Sequence, residues 1–139
     1  IRNRVQRQAR MVRGYKMNRQ ILFRGKRKDN GKWVYGFYAL FASNKGLKHG
    51  IYTGAENEVD SETVGQFTGM YDKFNNKIFE GDIVKCLSLE YGYVNKEVYY
   101  TEGKAKFGLS SCGTDYEFGE YIDVEVIGNI YDSPELLEK

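Results

Sequence analysis

Asp29-Asn30-Gly31 lies between two runs whose apolar residues recur with period two, and this feature constrains the fold more than any other. Upstream, Ile21 and Phe23 alternate with Leu22 and Arg24. Downstream, Trp33-Val34-Tyr35-Gly36-Phe37-Tyr38 reads as a returning strand. Asn and Gly tolerate the positive φ angles that tight turns require, so the segment is predicted to be an antiparallel hairpin. Composition agrees. Phe, Trp and Tyr make up 15% of the 139 residues, and proline appears once against 16 glycines. That balance favours β-structure turned by glycine. A chain of this length can bury a core of its own within one domain.

The pattern predicts a mostly β body. Residues 43–50 read as a loop holding the one histidine, His49, followed by a short strand at 51–53 and an acidic connection at 56–61. A strand interrupted by Gly65 and Gly69 spans 63–70, a polar turn 72–77, and a further strand begins at Ile78. Residues 97–109 suggest a second hairpin, and 108–119 are mostly loop. In 121–130, Ile122, Val124 and Val126 share one face with Asp123 and Glu125 opposite. Ser133 and Pro134 suit the first positions of a short helical turn that would dock Leu136 and Leu137. The segments 63–70, 78–89, 97–109 and 121–131 are expected to close into a compact barrel.

Charge divides the chain. Residues 1–32 carry 12 Lys or Arg against one acid, Asp29, for +11, whereas residues 33–139 carry 9 against 18, for −9. Residues 1–13 read as a helix, because Ile1, Val5, Ala9 and Val12 share a stripe of about 80° while arginines fill the remaining surface. Gly14 would cap it. The organisation is therefore a basic helical arm, 1–16, on a β domain, 17–139. The partner-binding candidates are Arg2, Arg4, Arg7, Arg10, Arg13 and Lys16 of the arm, with Arg24, Lys26, Arg27 and Lys28 of the hairpin. The arm suits nucleic acid or an acidic protein surface; equally, it could fold back on its own acidic body. The hairpin could stack on bases and contact phosphate. Alternatively, Phe23 and Trp33 are core and the lysines guard a strand edge.

Nothing in the sequence assembles catalytic chemistry, a metal site or a cofactor site. Glu80-Gly81-Asp82 brings two carboxylates together without further ligands, so Gly81 is read as permitting a turn with Asp82 bonding nearby amides. Glu58, Asp60 and Glu62 suit a turn as well as a cation. Together with Asp115, Glu117, Glu120, Asp123 and Glu125 they could also mimic a phosphate backbone. His49 lacks a nucleophile beside it. Cys86 and Cys112 lack a CxxC neighbour or base, and Cys86 suits buried packing. No apolar run approaches the roughly 18 residues of a membrane span, and no signal peptide is evident.

Three blocks resemble the YopX family of phage and prophage proteins from low-GC Gram-positive bacteria. They are the run from Phe23 through Trp33 to Gly36, the run from Val59 through Gly69 and Asp72 to Val84, and Val126-Ile127-Gly128-Asn129-Ile130-Tyr131-Asp132 with Pro134–Leu137. The resemblance covers Met17 onward and implies a small SH3-like β-barrel made in the host cytoplasm, with no established activity or cofactor. It implies that 1–16 are an addition and leaves 43–57 without a counterpart. The functional expectation is a non-enzymatic protein that binds a host protein or protein–nucleic acid complex, in its sharpest form an inhibitor of a host nuclease defence of the anti-CRISPR kind. A nucleic-acid-binding module using the arginine-rich arm and a self-assembling homo-oligomer are the alternatives.

Overall fold

The structure, a computed structural model, describes residues 19–111 and 114–137. The arm residues Arg2, Arg4, Arg7, Arg10, Arg13 and Lys16 therefore lie outside the described residues, as does the helix expected over 1–13.

The hairpin at Gly31 forms as its sequence dictates. Strand β1 (Phe23–Arg27) pairs antiparallel with β2 (Trp33–Ser43), and Gly31 has a φ of 69°. β2 then turns at Asn44-Lys45 into β3 (Gly46–Tyr52), which pairs with β4 (Glu56–Tyr71). β4 returns to β1, with Phe23 opposite Gln66 and Arg27 opposite Val59, and this pairing closes a four-strand ring. The register slips between Asp60 and Gly65. There the Thr63 hydroxyl accepts from Lys26 N at 2.8 Å and donates to Asp60 O at 2.6 Å. The acidic stretch around Ser61 is thus a bulge within β4, not a connection. Ile51 and Val59 are buried inside the ring, and the Val59 side chain lies 3.1 Å from where a Cβ on Gly25 would sit.

The short strand β5 (Lys77–Phe79) pairs antiparallel with β4, Phe79 opposite Phe67. A second sheet follows, in the order β10-β6-β7-β8-β9: β6 (Asp82–Ser88), β7 (Gly92–Thr101), β8 (Lys106–Ser111), β9 (Thr114–Tyr116) and β10 (Ile122–Asn129). Its main core is Ile78, Val84, Cys86, Val98 and Leu109, flanked by Val94, Phe118, Tyr121, Val124 and Val126. Each fully buried aliphatic side chain here contributes about 1.5–3 kcal/mol. The C-terminal 3-10 turn (Pro134–Leu137) forms as expected and sets Leu136 over Gly128, where an added Cβ would come within 2.8 Å of it.

The molecule is mostly β with a closed four-strand barrel, but the barrel lies elsewhere than expected. Of the segments expected to close it, only 63–70 belongs to the ring. The other three build the second sheet, in which β10 pairs with β6 and β9 with β8 as opposite edges. Residues 43–50 are a hairpin rather than a loop, so His49 sits on a strand. The ring is a consecutive meander, and the SH3-like form is not established by it. Among the described residues no helix is long and apolar enough to cross a membrane.

Candidate functional site

The ring and the second sheet meet at a polar joint, and two cations of the hairpin's basic run, Arg24 and Lys26, are consumed there. Arg24 is 5% exposed. Its Nη1 lies 2.8 Å from Asp82 Oδ1, and its guanidinium sits 4.5 Å from the centre of the Trp33 ring and 5.0 Å from that of Phe79. Alternation explains this placement, since Arg24 lies opposite Tyr35 on the outer face of the ring, beside Trp33. Gly81, with a φ of 90° beneath the Tyr131 ring, turns the chain so that Asp82 Oδ2 accepts from Phe79 N at 2.7 Å. That is the structural role expected of Glu80-Gly81-Asp82. Burial raises the Asp82 carboxyl above its ordinary value, even with Arg24 and the Phe79 amide pulling it down.

Lys26 pairs with Asp132, and Trp33 Nε1 donates to the same carboxylate at 2.9 Å. Asn129 donates to Asp132 as well, at 3.0 Å, while its own carbonyl oxygen accepts from the Tyr131 and Asp132 amides. These donors, Lys26 first, hold the Asp132 carboxyl down at about 2. Asp72 is a third tie, accepting from Phe74 N, Asn76 N and, across to β10, Val126 N at 3.0 Å. Burial pushes its carboxyl up, but these donors outweigh it and bring it below the ordinary value.

Of the hairpin candidates, then, Arg24 and Lys26 bind the two sheets together. Arg27 bonds Asp29 at 2.6 Å and the buried Asn57 at 2.8 Å. Lys28 is the exposed one, 3.8 Å from Glu58. Arg24 cannot meet a partner without abandoning Asp82. Cys86 is fully buried, and burial pushes its thiol up to about 11, so it packs as expected and does not react. Cys112 lies outside the described residues.

What remains open to solvent is a feature that sequence reasoning missed. Residues 30–55 hold no Asp or Glu but carry Lys32, Lys45 and Lys48 and are dense in aromatics. On the outer face of the ring Phe37 and Tyr52 are cross-strand partners, 65% and 46% exposed, with the half-exposed Tyr35 beside them. The strip continues past Phe41, whose ring covers Gly50. On the opposite face of the same hairpin, Tyr38 stacks on His49 and hydrogen-bonds its Nδ1, and Leu40 and Leu47 are exposed near the turn. The signal was available, because β2 is apolar on both faces and one face of a small ring must look outward.

The YopX protein family model matches residues 22–138. The chain belongs to the YopX family. It is thereby a phage-type protein, and the blocks by which it resembles the family include both halves of the joint: Arg24, Lys26 and Trp33 in the first, Asp72, Phe79 and Asp82 in the second, Asn129, Tyr131 and Asp132 in the third. Among solved structures it is similar to the crystal structure of protein EF1440 from Enterococcus faecalis, with 23% identity and a TM-score of 0.54 over 87% of this chain and 100% of that one. That likeness speaks for the fold alone. No curated protein matches.

Proposed function

We propose that this YopX protein is a non-enzymatic binding protein that occupies a surface of a host macromolecular complex in the host cytoplasm. The observation that carries the reading is the Phe37–Tyr52 pair, exposed on strands whose register the closed ring fixes. Contiguous exposed apolar surface marks interaction sites, and aromatic anchors dominate binding energy because they cover much area for few rotatable bonds. Lys45 and Lys48 on the hairpin, with the six cations of 1–16, suit a partner whose apolar pocket has an acidic rim. In this reading the hairpin supplies the anchor, and Arg2, Arg4, Arg7, Arg10, Arg13 and Lys16 supply steering.

Affinity capture from nuclease-treated host lysate tests it. The wild-type protein is expected to retain a protein partner, and the variant Phe37→Ser with Tyr52→Ser to lose it. Capture that disappears on nuclease treatment would replace this reading with direct nucleic-acid binding. Recovery of nuclease subunits would give its narrower, nuclease-inhibiting form.

A further inference from the structure

A second concave feature lies away from both the joint and the aromatic strip. Between the segment that leads into β1, the second half of β4 and the β7–β8 hairpin is a cavity of about 460 Å3, within the size range of small-ligand sites. Tyr100 and Phe107 line it as an edge-to-face pair with centroids 5.2 Å apart, which fixes the orientation of both rings. Arg19 and Lys106 contribute positive charge, and the described residues of the lining include no Asp or Glu. Gln20 and Gln66 contribute carboxamides, each carrying both donors and an acceptor. Among the described residues the side chains of Arg19, Gln20 and Gln66 and the Tyr100 hydroxyl make no hydrogen bond to protein. Lys106 is engaged with Glu117, but the Lys106 side chain is part-exposed and that of Glu117 largely exposed, and a phosphate can displace such a surface contact at little cost.

Aromatic rings, unspent amide groups and two cations, of which Arg19 is unpaired among the described residues and Lys106 is shared with Glu117, together describe a ligand with a flat ring, a hydrogen-bonding edge and an anionic end. We propose that this cavity binds a nucleoside phosphate, its base on Tyr100 and Phe107, its polar edge on Gln20 and Gln66, and its phosphate on Arg19 and Lys106. The nucleotide can come free or as one unit of a single strand, since the contacts are the same.

Titration calorimetry of the full chain with AMP, UMP, a short oligothymidylate and inorganic triphosphate tests the site. A mononucleotide is expected to bind at least about tenfold more tightly than triphosphate, because the base contributes through stacking. Tyr100→Ala, and separately Arg19→Gln with Lys106→Gln, are each expected to weaken it about tenfold or more while leaving the unfolding transition in place. An oligonucleotide that binds more tightly than the mononucleotide, with the same losses in the variants, identifies a strand as the source; equal affinities identify the free nucleotide. No binding by either, binding of triphosphate as tight as that of nucleotide, or full affinity in both variants would overturn the proposal.

Discussion

The joint and the β2–β3 hairpin use aromatic residues in opposite ways. At the joint Trp33 and Phe79 close on Arg24, so their faces are spent on a cation that already has its carboxylate, and Tyr131 packs against the Trp33 ring. Farther along the same strand Tyr35 is half-exposed with its ring tilted on Phe79, and beyond it Phe37 and, across from it, Tyr52 face outward. The cations follow a similar division: Arg24 and Lys26 reach inward to acids of the second sheet and its C-terminal end, while Lys45 is exposed and Lys48, half-exposed, lies 3.7 Å from Glu58 of the ring itself. A basic aromatic run is therefore not by itself a binding surface. Its meaning depends on whether acids from elsewhere in the chain arrive to meet it.

The difference can be broken first at Arg24. Arg24→Leu leaves the Asp82 carboxyl buried without its cation, which is expected to cost about 3–5 kcal/mol in urea unfolding. Changing Asp82→Leu as well should recover part of that loss, since it removes the unpaired carboxyl but leaves the Phe79 amide without its acceptor. A single variant as stable as wild type would mean that the joint does not hold the sheets together. Next is Asp72→Ala, which orphans the amides of Phe74, Asn76 and Val126. Leaving one such donor unsatisfied costs about 1–3 kcal/mol, so a loss of at least that size is expected by the same assay.

Asp132 sharpens the comparison through pH. Its carboxyl is held at about 2 in the folded protein against 3.8 ordinarily. Its contribution is therefore fully present above about pH 4 and lost as pH falls towards 2. Asp132→Asn should be less stable than wild type at neutral pH, and the two should converge in that acid window; parallel pH curves would contradict the assignment. The smallest effect is expected on the hairpin. Phe37→Ser with Tyr52→Ser should change stability by only about 0.5 kcal/mol per site, as for surface positions generally. A larger loss would make these side chains part of the ring's own packing.

Much of this was legible locally. The hairpin at Gly31, the turn at Asp72, the hairpin around Gly103 and the helical turn at Pro134 each carry their signal within a few residues. Barrel closure does not, because it depends on Phe23 finding Gln66, and period-two alternation reads the same in a closed ring as in an open sheet. The fate of the basic run was hidden for the same reason: Lys26 and its carboxylate at Asp132 are 106 residues apart. The hairpin at 43–50 was obscured by Gly46 and Gly50. The first ends the turn with a φ of 102°, and the second makes room for the Phe41 ring.

Hydroxyl-radical footprinting of the side chains, free and in the captured complex, tests the division of labour most directly. In the free protein Phe37 and Tyr52 should react readily and Phe79 should be protected. On complex formation reactivity should fall at Tyr35, Phe37 and Tyr52 while Phe79 stays unchanged. A complex that leaves Phe37 and Tyr52 as reactive as before, with the change at Trp33 and Tyr131 instead, would contradict the account and put the partner on the joint.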